Sequence, residues 1–388
     1  MREQVEEWLR KAGAGLSDRD RELLRRAAQT LEGNLFVGGT FPWDPYRCVS
    51  PCMGHFDGVW NWDSAFHAMG LAHWDAALGR ESLLGFLRFQ REDGMLPDVI
   101  WADGSSFYGC SKPPVMAQAA EAVYRRAPDR AFLAEVYPAL TRNARYWMAR
   151  RCQDGLLVYG SETDDEDADQ NRRFESGWDD SVRWDGGIEK LWPIDLNCFM
   201  VMFDRSMAYL ARELGLETEA RGWQEAGEKL AAAINERMWN ADAACYADTD
   251  CFTGAFSPVL SPACFMPLYA GIAPRERASA MAKLAADPQG FYPGMPTVAY
   301  GDPQYSDTYW RGPTWLNVAY FAIKGLRRYG FSVAEELRQT LLDWCATDKR
   351  GIFENYRSRT GIGQCCDHFS WSAAFIVAFL CDFDSENE

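Results

Sequence analysis

Two carboxylates in aromatic surroundings are the residues of this sequence best suited to chemistry. Asp179 follows Trp178 in the run 175–185, and Glu354 follows Phe353 far along the chain. An apolar, crowded setting raises the pKa of a carboxyl group, so that it can donate a proton near neutral pH. Hydrolysis of a glycosidic bond needs such an acid and an ionised carboxylate that activates water or attacks the sugar. The pair predicts this chemistry if the fold brings the two residues together.

Aromatic residues are abundant, with 16 Trp, 16 Tyr and 22 Phe. Many Trp stand beside Asp, Asn, Arg or Gly in apparent loops, as in the segments 60–63 and 309–312. Rings of this kind stack on the C–H faces of a sugar, while their polar neighbours bind its hydroxyls. Gln90 and Asp93, where a long loop begins, either contact sugar hydroxyls or cap the loop by hydrogen bonds.

The composition excludes several classes of partner. With a formal net charge of −16, the chain lacks the basic face that nucleic acids and anionic membranes require. Residues 1–10 are too charged for a secretory signal, and no apolar run approaches the length of a membrane span. We therefore expect a cytoplasmic protein whose partner is a small sugar. The sequence does not indicate the oligomeric state.

The twelve cysteines form no regular framework, which is typical of reduced thiols in a cytoplasm. The close pairs Cys48/Cys52 and Cys365/Cys366 lack zinc-type spacing with a matching partner pair. No nucleotide-binding fingerprint is present, and the acidic run 162–169 lacks the central Gly and closing Glu of an EF-hand loop. The sequence thus predicts neither a metal site nor a cofactor.

Helical periodicity recurs along the whole chain, whereas strand signals are sparse. In the first helix, Ser17 is the expected N-cap, and Leu23, Leu24, Ala27 and Leu31 share one face. The periodicity predicts twelve helices, at 17–31, 63–74, 76–90, 113–125, 129–150, 194–214, 217–238, 263–270, 274–286, 312–329, 332–346 and 369–381.

Long and short connections alternate between these helices, and short links make antiparallel neighbours. Helices that follow a long connection, such as 196–203 and 373–380, are apolar nearly all round, whereas those that follow a short link are apolar on one side. The first kind is buried on every side and the second forms an outer layer. We expect one all-α domain over 1–388. Its predicted fold is an (α/α)6 barrel of six inner and six outer helices, with the long loops at one end.

Four segments, residues 60–67, 175–179, 309–315 and 354–363, resemble glycoside hydrolase family 63, and 175–179 also resembles the related trehalases. Residues 60–67 resemble its W-x-W-D-S-x-F-H run, and residues 309–315 match its Y-W-R-G-P-x-W run. Residues 175–179, followed by Arg183, are similar to the segment that carries the general acid. Residues 354–363 resemble the E-x-Y-x-x-x-T-G-x-G segment with the general base.

The resemblance implies an inverting, exo-acting α-glycosidase on an (α/α)6 barrel. Its substrate would be a small α-glucoside or α-mannoside, of the disaccharide or glycosyl-glycerate type. Two trehalase signatures are missing, which argues against trehalose. Asp179 matches the acid and Glu354 the base. The substrate-binding candidates, beside Gln90 and Asp93, are Trp60, Trp62, Asp63, Trp178, Arg183, Trp310, Arg311, Gly312 and Trp315.

Two other functions are compatible with such a barrel. A sugar epimerase usually needs paired histidines as proton shuttles, and the chain has only four, which are scattered. A carbohydrate-binding protein could keep the aromatic pocket without turnover, but the presence of both candidate carboxylates argues against this function.

Overall fold

Helices make up most of the structure, a computed structural model that describes residues 3–384. The remaining residues of the predicted domain, 1–2 and 385–388, lie outside the described part. The helices are α1 Glu3–Ala12, α2 Asp18–Gly33, α3 Asn61–Leu71, α4 Ala76–Leu87, α5 Met116–Arg126, α6 Arg130–Arg151, α7 Ala168–Ser176, α8 Ile194–Leu214, α9 Glu217–Arg237, α10 Met266–Tyr269, α11 Arg275–Ala286, α12 Leu316–Arg328, α13 Val333–Thr347 and α14 Ser370–Cys381. Short 3₁₀ turns are found at Gly13–Gly15, Val182–Trp184, Ile188–Lys190 and Pro262–Phe265.

The mostly helical fold is confirmed, and each of the twelve predicted segments corresponds to a helix within a few residues. Ser17 caps α2 as expected, because its Oγ accepts a hydrogen bond from Asp20 N at 3.1 Å. The sequence analysis missed α1 and α7. The second of these begins in the acidic run 162–169, whose charges are typical of a solvated loop.

Strands in the described residues occur only as short sheets of two or three strands in the connections between helices. A three-stranded antiparallel sheet joins two long connections, with Gly58 opposite Trp101 and Trp60 opposite Val99. The strands are β1 Gly58–Trp60, β2 Val99–Trp101, β3 Ser106–Phe107, β4 Cys152–Gln153, β5 Leu156–Leu157, β6 Leu191–Trp192, β7 Trp239–Asn240, β8 Cys245–Tyr246, β9 Thr249–Asp250, β10 Asn355–Tyr356 and β11 Gly363–Gln364.

Six helices form a closed ring. α3 contacts α5, which contacts α8, and the contacts continue through α10, α12 and α14 back to α3. Their burial fits this place: in α14 nearly every residue is buried, including Trp371, Phe375 and Phe379. The other helices pack against this ring or against one another, α2 on α14, α4 on α3, α9 on α8 and α13 on α12. In α9 only one face is buried, as an outer position requires.

None of the helices in residues 3–384 is both long enough and apolar enough to cross a membrane.

Candidate active site

A cavity of about 320 Å³ lies beside the N-termini of α3, α12 and α14. Of the long connections that precede the ring helices, all except the one between α9 and α10 contribute residues to its wall. Most of the lining side chains are aromatic, and the charged ones are three aspartates, one glutamate and one lysine. The lining residues are Pro51, Phe56, Trp60, Trp62, Asp63, Asp98, Val99, Trp101, Phe107, Lys112, Phe174, Gly177, Asp179, Tyr309, Trp310, Trp315, Glu354, Phe369 and Trp371.

A larger cavity, of about 760 Å³, lies at the opposite ends of the same ring helices. In α3, for example, Trp62 and Asp63 at the N-terminus line the first cavity, while Met69 and Gly70 near the C-terminus line the second. Both candidate catalytic carboxylates belong to the smaller cavity, so the chemistry is expected there.

A sharp turn after α7 brings Asp179 to the wall of the smaller cavity. α7 ends at Gly177, which has a positive φ of 73° and whose N–H donates to Phe174 O at 3.0 Å. A Cβ atom at this position would collide with the ring of Trp62, so only glycine fits. The next residues then run along the wall. Asp180 is not among the lining residues, and its Oδ1 accepts from Trp310 N at 2.9 Å.

Burial is the main influence on Asp179 and raises the pKa of its carboxyl. Two neighbours oppose this shift and favour the charged form: Lys112, through its positive charge, and Tyr309, whose hydroxyl donates to Asp179 Oδ2 at 3.2 Å. The raised pKa favours the protonated form of Asp179, which is the state that a general acid needs.

Glu354 approaches the same cavity from the connection before α14. Its backbone N–H donates to Cys366 O at 2.9 Å, and Ser372 Oγ donates to its carbonyl at 3.3 Å. Burial raises the pKa of its carboxyl to about 7, hydrogen bonds from Cys366 lower it, and the charge of Asp179 raises it. A pKa near 7 suits a general base, because the group can be ionised and still accept a proton.

A buried cation stands among the carboxylates of the cavity. Lys112 Nζ lies 3.1 Å from Asp98 Oδ1 and donates to Phe174 O. Burial opposes the charge of Lys112, but Asp98 and Asp179 hold the pKa of its ammonium above the usual value. Asp63, on the first turn of α3, is deeply buried, and this burial raises the pKa of its carboxyl to about 8 against the opposing charge of Lys112.

The aromatic wall is built from stacked and edge-on rings. Trp310 and Trp315 are parallel, with ring centroids 3.9 Å apart, and Trp371 meets Trp315 edge-on at 5.5 Å. Trp62 in turn packs edge-on against Trp371 at 5.5 Å. This contiguous set of rings provides flat apolar surfaces beside the two carboxylates.

The structure does not bring Gln90 and Asp93 to the cavity. Gln90 Nε2 donates to Gly94 O at 3.0 Å and to Ala139 O at 2.9 Å, which ties the start of the loop to α6. Asp93 accepts from Arg91 Nη2 at 2.7 Å and from Met95 N at 3.1 Å. Both side chains make the loop-capping hydrogen bonds that were the alternative interpretation.

Trp178 and Arg183 lie behind the cavity wall. The ring of Trp178 is buried and packs 5.2 Å from Trp310, while the guanidinium of Arg183 lies 4.7 Å from the Trp178 ring. Arg183 is wholly buried between Asp195 and Asp248, with hydrogen bonds of 2.8 to 2.9 Å to both carboxylates. It therefore supports the loop that carries Asp179, and its donors are directed at Asp195 and Asp248.

Arg311 and Gly312 also lie outside the lining. Arg311 forms a two-point ion pair with Asp185, at 2.7 and 3.2 Å, and donates to Gln304 and to the backbone of Asp180. At Gly312 a Cβ atom would collide with Ser306 O, so the residue permits a close approach of two chain segments.

Several lining residues were not among the candidates from the sequence. Tyr309 lies inside the 309–315 motif and Trp371 near the start of the predicted helix 369–381, so their positions offered a signal. Asp98, Trp101 and Lys112 belong to no recognised motif. Their loop is brought to the cavity by the pairing of β1 with β2 and by hydrogen bonds between distant segments, such as that of Lys112 to Phe174 O.

Comparison with known proteins matches most of the chain to one family. A family model described as the mannosylglycerate hydrolase MGH1-like glycoside hydrolase domain matches residues 57–372. This span contains Asp179, Glu354 and every lining residue except Pro51 and Phe56.

Individual relatives agree with this match. Mannosylglycerate hydrolase MGH1 of Selaginella moellendorffii is 26% identical over 85% of this chain and 81% of its own length. The crystal structure of the GH63 mannosylglycerate hydrolase from Thermus thermophilus in complex with Tris and D-glycerate has a TM-score of 0.77 and 25% identity, and the match covers 92% of this chain and 99% of that one. Periplasmic trehalase of Escherichia coli is 25% identical over 71% of this chain and 56% of its own length. The resemblance to family 63 and to trehalases is thereby confirmed.

Proposed function

The chain belongs to the mannosylglycerate hydrolase MGH1-like family of glycoside hydrolases, and we propose that it is an inverting, exo-acting hydrolase of a small α-glucoside or α-mannoside. One observation carries the proposal: Asp179 and Glu354, which are far apart in sequence, line the same aromatic-walled cavity. A cavity of about 320 Å³ is at the small end of the usual range for ligand sites and suits a small glycoside better than a polysaccharide.

The proposed architecture is a single (α/α)6 barrel of six inner and six outer helices, with its long loops at one end. Its support is the closed ring of α3, α5, α8, α10, α12 and α14, each of which follows a long connection. The shared cavity at the N-termini of ring helices agrees with this arrangement.

In the proposed reaction Asp179 is the general acid and Glu354 the general base. Asp179 gives its proton to the glycosidic oxygen as the bond from that oxygen to the anomeric carbon breaks. A water molecule attacks the anomeric carbon from the opposite face while Glu354 takes one of its protons. The configuration is inverted, and the two carboxyls end with exchanged protonation states, which solvent then restores. Inversion requires the two carboxyl groups to be about 6.5–9.5 Å apart.

The substrate-binding residues proposed here are the lining members of the original set: Trp60, Trp62, Asp63, Trp310 and Trp315. The rings provide stacking surfaces for the sugar, and Asp63 can bond its hydroxyls in either protonation state. Asp98, Lys112 and Tyr309 join them because they line the same cavity.

The leaving group is proposed to be glycerate or a second sugar. The names of the relatives favour glycerate, and the Thermus thermophilus enzyme has also been solved in complex with glucose. The charges of the wall favour a neutral sugar, because Lys112 is the one basic residue among the described lining residues and is paired with Asp98. Arg311, a candidate for a substrate carboxylate, is engaged by Asp185.

The alternative of a sugar epimerase finds less support. An epimerase of the expected type would need histidines in the cavity, and none lies among the described lining residues.

A reducing compartment such as the cytoplasm remains the proposed location, since all twelve cysteines are free in the structure.

The test is a panel of mannosylglycerate, glucosylglycerate, trehalose and other α-glucosides and α-mannosides, with product anomers followed by NMR. We expect hydrolysis of at least one member with inversion. Asp179→Asn and Glu354→Gln should each lower kcat/KM by about 10²–10⁴-fold, the usual contribution of general acid–base catalysis.

Asp180→Asn is the matched control, because this neighbouring carboxylate is not among the cavity-lining residues and an amide oxygen can still accept from Trp310 N. It should stay within about tenfold of the parent, and circular dichroism should show all three variants folded. Full activity of either catalytic variant would refute the assigned roles, and a retained anomer would refute inversion. Sugar binding by calorimetry without product from any substrate would show a binding protein instead.

A further inference from the structure

Three potential metal ligands converge where two long connections meet. The ligand atoms of Cys52, His55 and Cys366 all lie within 4.8 Å of one another. Cys52 and His55 belong to the connection between α2 and α3, while Cys366 belongs to the one between α13 and α14. Two thiols and an imidazole are the soft and borderline ligands that zinc prefers. We propose that these residues, with His368, form a structural Zn²⁺ site.

The separations fit a tetrahedral ion. Zn–S bonds of about 2.3 Å and Zn–N bonds of about 2.0 Å place a sulfur and a nitrogen ligand about 3.5 Å apart. Cys52 Sγ lies 3.8 Å from His55 Nδ1 and 3.4 Å from His368 Nε2. Both separations are close to the tetrahedral edge, and the ligand atoms of Cys52, His55 and Cys366 lie within 4.8 Å of one another, so the four side chains would have to draw together to enclose an ion.

His368 also has the outer partner that metal-bound histidines usually have. Its Nδ1 lies 2.7 Å from Asp367 Oδ1, so a proton on Nδ1 is shared with this carboxylate. The other nitrogen, Nε2, lies 3.4 Å from Cys52 Sγ. When Nε2 carries a proton it can donate to Met53 O at 3.3 Å, and when it is unprotonated its lone pair is free to bind a metal. Carboxylates that orient a ligating imidazole in this way strengthen metal binding.

The position of the site suggests what it does. Glu354 N donates to Cys366 O at 2.9 Å, so the segment that carries the proposed general base is bonded directly to a ligand residue. On the other side, Pro51 and Phe56, which flank Cys52 and His55, line the cavity. A metal ion here would join the two loops and hold Glu354 against this wall. The proposal concerns metal binding and stands or falls without any assumption about the substrate.

The proposed site differs from the spacing pattern on which the sequence predicted no zinc site. That pattern concerned two close cysteine pairs, Cys48/Cys52 and Cys365/Cys366. In the structure Cys48 lies elsewhere, against the carbonyl of Ser82. One cysteine of each pair is used instead, and each brings a histidine two or three residues further along the chain.

The test is to strip the full chain with a chelator under reducing conditions and titrate it with ZnCl₂ in a calorimeter, with metal content checked by native mass spectrometry. We expect one Zn²⁺ per chain and a higher Tm with zinc. Co²⁺ in the same site should give the near-ultraviolet charge-transfer absorption of thiolate ligation.

Variants locate the site. His55→Ala, at an exposed residue whose loss should not disturb folding, His368→Ala and Cys366→Ser should each weaken Zn²⁺ binding more than the 10- to 100-fold typical of losing an outer partner. Asp367→Asn should weaken it by about 10- to 100-fold. Cys365→Ser, which alters an adjacent thiol outside the cluster, is the matched control and should bind as the parent does.

Several results would overturn the proposal. These are no stoichiometric zinc in the folded parent, equal weakening by Cys365→Ser, or unchanged affinity of His55→Ala. A Cys52–Cys366 disulfide that persists in the presence of zinc, seen as the loss of two hydrogen atoms in the intact mass, would identify a redox pair instead of a metal site.

Discussion

Arg183 provides a sharp test of the difference between a residue that binds substrate and one that supports the fold. The sequence made it a substrate-binding candidate, and the structure places it behind the wall, between Asp195 and Asp248. The informative change is Arg183→Met, which keeps much of the length of the side chain and removes its charge and donors.

The contacts set the size of the effect. The guanidinium makes four hydrogen bonds of 2.8 to 2.9 Å, two to each aspartate, and the exposed fractions of the three side chains are 0%, 2% and 3%. Breaking a buried ion pair by removing one partner costs about 3–5 kcal/mol. Here one change leaves two buried carboxylates without their cation. Asp248 still accepts a hydrogen bond from Ile194 N at 2.9 Å. We expect a loss near the upper end, about 5 kcal/mol of unfolding free energy.

The assay is urea unfolding at pH 7 followed by tryptophan fluorescence, with Arg311→Met as the matched control. Arg311 also pairs with an aspartate, but the two side chains are 25% and 33% exposed, so its loss should cost about 1 kcal/mol or less. Adding Asp195→Asn and Asp248→Asn to Arg183→Met should recover part of the stability, because no buried charge is then left unpaired.

Two outcomes would refute this reasoning. One is an Arg183→Met variant within about 1 kcal/mol of the parent, since a buried and fully paired guanidinium cannot be that dispensable. The other is a raised KM at unchanged stability, which would return Arg183 to the substrate-binding set.

Two further predictions follow from the pKa shifts. Tyr309→Phe removes a hydrogen bond that favours the ionised form of Asp179, so the pKa of Asp179 should rise. The alkaline limb of the kcat/KM profile should then move to higher pH. An unmoved limb would contradict the assignment of Asp179 as the general acid. Burial alone raises the pKa of Asp204 to about 7, so its carboxyl destabilises the fold progressively as pH rises from the unfolded value near 4 to about 7. Asp204→Asn should therefore match the parent near pH 4 and be about 2–4 kcal/mol more stable at pH 8 in urea unfolding, and a gap that does not grow with pH would argue against this cause.

The helical fold was largely predictable because two signals in the chain agree. Apolar periodicity marks each helix, and the alternation of long and short connections separates the ring helices from those packed around them. The missed helix α7 shows where such signals fail. Its acidic start resembles a solvated loop, and its end is held by Glu175, which is wholly buried and bonds to Arg151 at 2.8 Å. That partner comes from α6, and no local pattern reveals it.

The site was predictable where a motif sits at the entrance of a ring helix. Trp60, Trp62, Asp63 and Trp315 lie in or directly before the first turn of α3 or α12, and all of them line the cavity. A motif position does not tell which way a long side chain turns. Arg311 is in a matching motif, yet its guanidinium turns toward Asp185.

The motif residues that turn away from the cavity still act on it through the loops they join. Trp310 N donates to the Asp180 side chain and Arg311 donates to the Asp180 carbonyl, so the Trp310 loop gives two hydrogen bonds to the loop that carries Asp179. Tyr309, next to Trp310, then reaches Asp179 with its hydroxyl. A change at Arg311 would therefore loosen the position of Asp179 without touching the sugar. Positioning explains how a residue with no place in the wall can belong to the same motif as the residues that form it.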